Sequence, residues 1–405
     1  MKVAREDSPS RWNPRTIGLC CAAVVAATVL VVYLVVWTRK YGLDLQVYRG
    51  SAATFVNGRN PYHSTFTKSH LAFTYPPFAL IVLSVLTWGS FAVAQSLMWA
   101  VSIAVTTAAV AIVLVDRGYH RSALLWCGSL TWTCVAMLVV EPARSGLDYG
   151  QIEFVLMFLV VADTLLVPAP FRGFLLGVAS AIKLTPLIFI LIFFVRRDRM
   201  SAARAVLSFV ACTGLAWLFW ADLSRTYWLH DVAQTERVGG AAYGGNQSWY
   251  AVLHRPPFPA TGSAIAWAAL SVGTLLVGTF VAWRCVDTDR QSFAVIAIAL
   301  VGLLVSPISW SHHWVWVILL PPMLVGSRRH ETGSSIRIML WGIVILTIAA
   351  PYWWISLGWA GVALQAALPI WTFATLTVWC GTEYVRWTRS KDDLGRSLVG
   401  PAPVT

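Results

Sequence analysis

The run Ile17–Trp37 reads IGLCCAAVVAATVLVVYLVVW and holds no charged residue. An uncharged apolar run of about 20 residues is long enough to cross the hydrocarbon core of a bilayer as a helix. The run is too long for the apolar part of a typical secretory signal, and it ends in Val and Trp where a cleavage site would need small residues. We therefore interpret it as a retained membrane span.

The composition extends this interpretation to the whole chain, which has 405 residues, 58% of them hydrophobic and only 12% charged. Long apolar runs separated by short basic clusters are typical of a polytopic α-helical membrane protein and are poorly compatible with a soluble α/β protein. A net charge of +12 could suggest nucleic-acid binding. Lys and Arg flank the apolar runs instead of forming one patch, however, which favours a role in membrane orientation. The sequence predicts an all-α integral membrane bundle of about twelve transmembrane helices with no nucleic-acid partner.

The charge distribution predicts an orientation for this bundle. A leader at 1–16 and a tail at 383–405 are both basic, so both are expected in the cytoplasm by the positive-inside rule. The transmembrane domain then covers 17–382. Two long polar segments within it, about 38–76 and 222–262, are expected to form extracytoplasmic loops.

A strict alternation of spans conflicts with the charge rule in the middle of the chain. With every apolar run counted as one span, the basic segment 116–121 and Arg172 would lie outside the cell. The segment 141–151 would lie inside. Broken or re-entrant helices near Pro142 or Pro186 are the alternative, because several of these runs are shorter than a perpendicular span requires.

The first polar segment contains Asp44-Leu-Gln-Val-Tyr48, Gly58-Arg-Asn-Pro-Tyr62 and Phe73-Thr-Tyr-Pro-Pro-Phe78. Its Gly and Pro residues predict turns that fold the segment back onto the membrane surface. Asp44 is the only carboxylate in the segment and lies close to the end of the first apolar run. It is a candidate catalytic carboxylate, and the alternatives are a solvated loop carboxylate or an Asx turn.

Lys183, in the stretch Ala181-Ile-Lys-Leu-Thr-Pro186, lies well inside an apolar run. An ionisable residue at that depth is costly unless it faces a polar cavity or a partner, which makes it a candidate functional residue. Arg196 follows thirteen residues later, about 20 Å along a helix, so the ammonium is too deep to reach that membrane surface. A structural ion pair with Glu153 or Asp163 is the alternative.

The second polar segment carries Arg237, the sequence Tyr243-Gly-Gly-Asn-Gln-Ser-Trp249, and Arg255. Arginines suit phosphate and aromatic rings suit a sugar face, so this loop is expected to close over a polyhydroxyl or phosphorylated ligand. A flexible glycine linker is the alternative.

The pair His312-His313 lies where two apolar runs meet. Metal binding is disfavoured, since adjacent histidines on a helix point about 100° apart and no third ligand is near in the sequence. A contact to phosphate is favoured, and a plain interfacial histidine pair is the alternative. We expect no metal and no cofactor.

In combination these motifs resemble the actinobacterial polyprenol-phosphate-mannose-dependent α-1,2-mannosyltransferases of the GT-C superfamily. The matching pieces follow one another in the expected order: Asp44 to Tyr48, Gly58 to Tyr62, Tyr75-Pro-Pro77, Gly150-Gln151, Lys183 to Pro186, Ser224 to Tyr227, Arg237-Val-Gly239, Asn246-Gln-Ser248 with Arg255, and Ser309 to His313. The chain departs from the family at Glu153, where an Asn is frequent, and no role is carried onto that residue.

The resemblance implies a GT-C-like bundle in the plasma membrane, with its active site on the extracytoplasmic face. It implies polyprenyl-phosphate mannose as donor and a phosphatidylinositol mannoside or lipomannan as acceptor, joined by an α-1,2 linkage with inversion. Asp44 would be the general base. The candidate substrate-binding residues are Tyr48, Tyr62, Tyr75, Lys183, Arg237, Asn246, Gln247, Arg255, His312 and His313.

A transporter or lipid flippase is the main rival from another class, because a polytopic bundle with a buried lysine suits it too. The two long polar segments favour a site at one membrane face over a midplane site, and we find no inverted repeat. A scaffolding membrane protein is the third alternative.

Overall fold

The computed structural model of the chain describes residues 14–38, 42–255, 263–326, 332–354 and 359–398. Most of the predicted leader, the end of the predicted tail and the basic cluster Arg328-Arg329-His330 lie outside the described residues. Helices make up most of the described residues. Within those five ranges β-structure is limited to two isolated bridges, Thr65 with Ala72 and Asn246 with Trp310.

The α-helices are numbered here in chain order. They are α1 Pro14–Tyr33, α2 Leu43–Val56, α3 Pro77–Leu83, α4 Phe91–Asp116, α5 Ala123–Val139, α6 Glu141–Tyr149, α7 Glu153–Leu165, α8 Phe174–Ile182, α9 Ile190–Val195, α10 Arg199–Phe219, α11 Ala221–Arg225, α12 Trp249–Leu253, α13 Ser263–Asp287, α14 Gln291–Val305, α15 Leu320–Gly326, α16 Ser334–Ala349, α17 Trp359–Gln365 and α18 Ala367–Leu398. Short 3-10 stretches at Thr185–Phe189 and Ser311–Leu319 precede α9 and α15.

Among the residues that the structure describes, five helical segments are long and apolar enough to cross a membrane, and a sixth is added if α5 and α6, bent by 83°, are counted as one span. In α1 the side chains of Val24 and Val25 are 66% and 62% exposed. Apolar surface of this extent is unfavourable in water and suits contact with lipid. The all-α membrane class is therefore confirmed, whereas the expected count of about twelve spans is not.

Contacts gather the basic turns at one end of the molecule. The Ser292 amide donates to the Asp116 carboxylate at 3.1 Å, and Arg290 forms a two-bond ion pair with Glu383 at 2.8 and 2.9 Å. Arg196 donates to the side chain of Gln291 at 2.9 Å. The turn after Asp116 thus lies beside Arg196 and the C-terminal helix, at what we call the basic end. The placement of 116–121 on the opposite side, which strict alternation required, is wrong.

The described parts of both long polar segments, 42–76 and 222–255, lie at the other end, which we call the site end. Arg237 of the second segment donates to the Tyr62 carbonyl of the first at 2.7 Å, and the backbone N–H of Gln247 donates to the Ser309 carbonyl at 2.7 Å. Segment 141–151, which alternation placed on the inner side, lies at the site end as well, because Gln151 contacts Asp44.

Alternation fails at 77–92 because this apolar run does not cross between the two ends. Its start follows Tyr75, whose hydroxyl lies 2.8 Å from that of Tyr48 in α2. Its end is held by Arg49 of the same helix, which donates to the carbonyls of Leu86 at 3.2 Å and Gly89 at 2.8 Å. The run therefore stays at the site end.

The run 173–195 also returns to the end from which it starts. Helix α8 begins at the basic end, where the Gly173 amide donates to Asp163 of α7, and its nine residues lead to Lys183 in the wall of the cavity that opens at the site end. Lys183 then has an extended backbone, with φ −148° and ψ 137°, and the chain leads back through α9 to Arg196. At 1.5 Å per residue, an arm of this length is about half as long as the hydrocarbon core is thick. Lys183 is thus the apex of a helical hairpin.

Helix α2 lies over an apolar cluster that fixes which of its faces points inward. Leu45, Tyr48 and Ala52 recur at helical spacing and are buried against a set that includes Phe73 and Ile152. This packing holds the first turn of α2, and with it Asp44, at the edge of the bundle interior.

Candidate active site

A cavity of about 250 Å³ opens at the site end between α2, the apex of the α8–α9 hairpin and the segment before Ser311. Six of the candidate residues from the sequence line it, namely Asp44, Tyr48, Tyr75, Lys183, Arg237 and His313. The lining also includes residues that had no role assigned from the sequence, among them Gln151, Thr185, Asp231 and Trp310.

Asp44 lies in the first turn of α2, and its side chain is partly exposed to this cavity. Its Oδ2 atom accepts a hydrogen bond from Gln151 Nε2 at 2.6 Å. Burial raises the pKa of Asp44 to about 6, while the Gln151 hydrogen bond and the charge of Lys183 oppose that rise. At neutral pH the carboxylate is therefore mostly ionised and able to accept a proton.

The amide of Gln151 has a fixed orientation. Its Oε1 atom accepts from the Tyr48 hydroxyl at 2.9 Å, and its nitrogen faces both Asp44 and Nε2 of His312, the latter at 2.9 Å. An amide nitrogen only donates, so the His312 Nε2 must accept and that imidazole is neutral in this arrangement. His312 is thus a partner of Gln151, and it is absent from the cavity lining.

Gly150 makes the approach of Gln151 to α2 possible. It ends α6 in the left-handed region, at φ 74°, where a side chain is strained. A Cβ atom on Gly150 would lie 2.8 Å from the Cβ of Leu45, the neighbour of Asp44. Glycine is required here both by the backbone angle and by the close contact with α2.

Lys183 faces the cavity and is also ion-paired. Its ammonium contacts the Glu153 carboxylate, lies 3.2 Å from His313 Nε2, and stands 4.9 Å from the centre of the Tyr75 ring. Asp163, the other acid considered from the sequence, instead caps α8 by accepting the amide of Gly173. The two interpretations of Lys183, cavity residue and ion-pair partner, therefore hold together.

A second cavity, of about 270 Å³, lies on the far side of this ion pair. Glu153 lines it together with mostly apolar side chains, and both cavities share Thr185, Ser306 and His313 as walls. The Lys183–Glu153 pair therefore forms part of the partition between the two cavities.

Arg237 reaches the opposite wall of the first cavity. It is paired with Asp231 and donates to the Tyr62 carbonyl. Asp231 was not singled out from the sequence, although it lies only six residues before Arg237, a spacing that gives no signal in a loop.

The remaining predicted residues lie behind the cavity. Asn246 accepts from the Ser309 amide and donates to the Pro307 carbonyl, which holds the segment that carries Trp310. Gln247 donates to the carbonyl of Gly244. Arg255 donates to backbone carbonyls, including those of Ala242 at 3.1 Å and Gln365 at 3.0 Å.

Tyr62 has a similar supporting position. Its ring packs between Phe73 and Tyr227, and its hydroxyl donates to the Tyr75 carbonyl at 2.8 Å. It shapes the wall of the cavity from behind. Across the part of the chain that the structure describes, no three His, Cys, Asp or Glu side chains come together in a group that could hold a metal ion.

Glu141 is a buried carboxylate that sequence reasoning did not single out. It accepts from Ser311 at 3.0 Å, from Tyr352 at 2.5 Å and from Trp353 at 3.1 Å. Since Ser311 precedes the histidine pair and Glu141 begins the helix that leads to Gln151, this carboxylate ties together the two segments that hold Gln151 and His312.

The arrangement places the Asp44 carboxylate and Lys183 on the walls of one cavity that is also lined by aromatic rings. A carboxylate of this kind can take a proton from a hydroxyl, and a cation can stabilise charge that develops on a leaving group. Tyr75 and Trp310 offer apolar faces of the type that sugars stack on.

Comparison with known proteins finds similarity to glycosyltransferases along most of the chain. The profile of glycosyltransferase family 87 matches residues 73–307, more than half of the chain. A polyprenol-phosphate-mannose-dependent α-(1-2)-phosphatidylinositol mannoside mannosyltransferase of Mycobacterium tuberculosis H37Rv is 33% identical, over 83% of this chain and 85% of its own. Its counterpart in Mycolicibacterium smegmatis is also 33% identical, over 86% of this chain and 82% of its own.

A relative with a different acceptor in its name is equally similar. The polyprenol-phosphate-mannose-dependent α-(1-2)-phosphatidylinositol pentamannoside mannosyltransferase of Mycobacterium tuberculosis CDC 1551 is 32% identical, over 94% of this chain and 91% of its own. Identities of 33% and 32% do not separate the two acceptors. No solved structure matches the chain.

Proposed function

The chain belongs to glycosyltransferase family 87, and from that premise we propose that this membrane glycosyltransferase transfers mannose from polyprenyl-phosphate mannose to a phosphatidylinositol mannoside or lipomannan. The observation that carries the proposal is the position of Asp44 on the wall of the cavity, hydrogen-bonded by Gln151, with Lys183 also lining that cavity. The donor and the acceptor are the substrates in the names of relatives that match most of the chain.

The proposed reaction is a single displacement with inversion, which forms an α-1,2 linkage. An acceptor hydroxyl oxygen attacks the anomeric carbon of mannose, and the bond from that carbon to the phosphate oxygen breaks. The electron pair leaves with the polyprenyl phosphate, and the hydroxyl proton passes to Asp44, the general base. Phosphate is a good leaving group, so the site requires a cation for the developing charge and no general acid. Lys183 and Arg237 are the candidates.

The substrates bring different demands to the cavity. A phosphate diester needs charged donors, which Lys183 at the hairpin apex can supply. A mannose ring offers apolar faces and hydroxyls, which suit Tyr75, Trp310 and Asp231. A transporter would need a path that opens to both ends, whereas the cavity is built from the two long polar segments and their neighbours at the site end.

We place the basic end in the cytoplasm and the site end at the outer face of the plasma membrane. The support is the positive-inside rule, applied to the arginines that the fold gathers around Arg196 and Arg290. The lipid-linked donor and acceptor would then both reach Asp44 from the outer leaflet.

The test is transfer by the purified protein from polyprenyl-phosphate mannose to a phosphatidylinositol mannoside and, separately, to lipomannan. We expect mannose in α-1,2 linkage on at least one of them and no transfer from GDP-mannose, the soluble control donor. Transfer from GDP-mannose, or none from the lipid donor with either acceptor, would contradict the proposal.

A further inference from the structure

The two cationic side chains that line the active-site cavity, Lys183 and Arg237, are each already paired with a carboxylate. Among the described residues, the charged side chains in its lining are Asp44, Lys183, Asp231 and Arg237. Lys183 is paired with Glu153, and Arg237 with Asp231. An anionic ligand therefore meets a lining whose positive charges are neutralised before it arrives.

The two ion pairs differ in where their carboxylates lie. Asp231 lines the same cavity as Arg237, so it would stay against any ligand bound there. Glu153 lines the second cavity, behind Lys183, and is absent from the lining of the first. The second cavity, of about 270 Å³, gives its side chain room to move away from the lysine without crossing the substrate site.

The position of the Glu153 carboxylate matches what a phosphate oxygen would need. One oxygen contacts the Lys183 ammonium and lies 3.4 Å from His313 Nε2, and the lysine and this imidazole are themselves 3.2 Å apart. Glu153 is in the first turn of α7, where backbone amides also favour negative charge. The geometry is that of an anion site with an internal carboxylate in it.

We propose that in the empty enzyme Glu153 holds the Lys183 ammonium from behind, and that Glu153 must release Lys183 before this ammonium can bind the phosphate of polyprenyl-phosphate mannose. This inference rests on the proposed function for the identity of the donor. Glu153 is accordingly a residue that sets donor affinity by competition. It touches no reacting atom.

If Glu153 competes with the donor phosphate for Lys183, removal of its charge should strengthen donor binding. If Glu153 only supports Lys183, the same change should weaken it. Replacing one member of a buried ion pair leaves the other charge without compensation, which is strongly destabilising. An entering phosphate would then supply the missing negative charge. Removal of the Glu153 charge should therefore destabilise the empty protein and strengthen donor binding at the same time.

The experiment compares Glu153→Gln with the parent protein in detergent, through the donor KM and through the rise in Tm on addition of polyprenyl phosphate. We expect a lower Tm without ligand, a larger rise with it, and a donor KM reduced several-fold. Lys183→Met should lose the rise. Uncharged polyprenol serves as the ligand control and should produce no difference between the parent and Glu153→Gln.

The matched control variant is Glu383→Gln. Glu383 is also a buried carboxylate in an ion pair, but it lies at the basic end with Arg290. Glu383→Gln should lower the Tm without changing the donor KM. If Glu153→Gln does not fold, Glu153→Asn tests the same removal of charge with a shorter amide.

The outcomes separate the two proposals. A parent protein that transfers no mannose from the lipid donor overturns the proposed function. A parent that transfers mannose, together with a Glu153→Gln or Glu153→Asn variant whose donor KM is unchanged or raised, overturns the inference alone, because Glu153 would then support Lys183 instead of competing with the phosphate.

Discussion

Two opposing influences determine the pKa of the Asp44 carboxylate. Burial raises its pKa to about 6, and the hydrogen bond from Gln151 works against that rise by stabilising the charged form. A general base acts only when deprotonated. We therefore expect kcat/KM to rise with pH through about 6 and to level off above it, since the pH dependence of kcat/KM reports the groups of the free enzyme.

Replacement of Gln151 should move this acid limb. In Gln151→Met the carboxylate loses its amide donor, so the pKa of Asp44 should increase and the limb of the kcat/KM profile should shift to higher pH. Gln46→Met, on the same helix but outside the cavity lining, is the control and should leave the limb in place. A Gln151→Met profile that differs from the parent only in height would show that Gln151 acts on packing and not on the base.

Some of the site residues predicted from the sequence line the cavity and others do not, for physical reasons. Lys183 is conspicuous because burial of a charge within an apolar run is costly, and Asp44 because it is the one carboxylate of its polar segment. Both line the cavity. Gln151 is neutral, and strict alternation placed it on the wrong side, so only its motif marked it. Arg255 carries a charge too, but backbone carbonyls satisfy it, which composition cannot reveal.

At the scale of elements, hydropathy identified the apolar runs but not their paths. The run 173–195 is long enough for one span, yet it folds as a hairpin because Lys183 is extended and the stretch beginning Thr185-Pro186 continues as a 3-10 turn. The run 77–92 stays at the site end because Arg49 binds two of its carbonyls. Such contacts come from residues far away in the sequence, so the sequence alone predicted the helical class, offered a break near Pro186 only as an alternative, and missed the return of 77–92.

For the whole molecule, the two returns resolve the conflict between alternation and charge. With 77–92 and 173–195 removed from the set of crossings, the turn after Asp116 lies beside Arg196 and Arg290 at the basic end. The described basic turns that contact Arg196 and Arg290 then all lie on the side that the positive-inside rule assigns to the cytoplasm.

Accessibility labelling tests this orientation. Single cysteines replacing Arg59, Gly240, Tyr119 and Ser390, in a protein without its native cysteines, would be exposed to a membrane-impermeant maleimide on intact cells. We expect positions 59 and 240 to react and positions 119 and 390 to be protected until the cells are opened. Labelling at position 119 on intact cells would support strict alternation of the spans. Protection at position 59 would show that the protein has the opposite orientation in the membrane.

The central claim is that Asp44 is the general base, and the most direct test is the turnover number of Asp44→Asn. Asparagine keeps the size of the side chain but cannot take a proton at neutral pH, and general-base catalysis contributes roughly 10²–10⁴-fold. We expect kcat to fall by at least about 100-fold on that basis, with the rise in Tm on polyprenyl phosphate retained. Asp222→Asn, at an exposed carboxylate in α11, should transfer mannose at the parent rate. An Asp44→Asn variant with near-parent turnover would contradict the account.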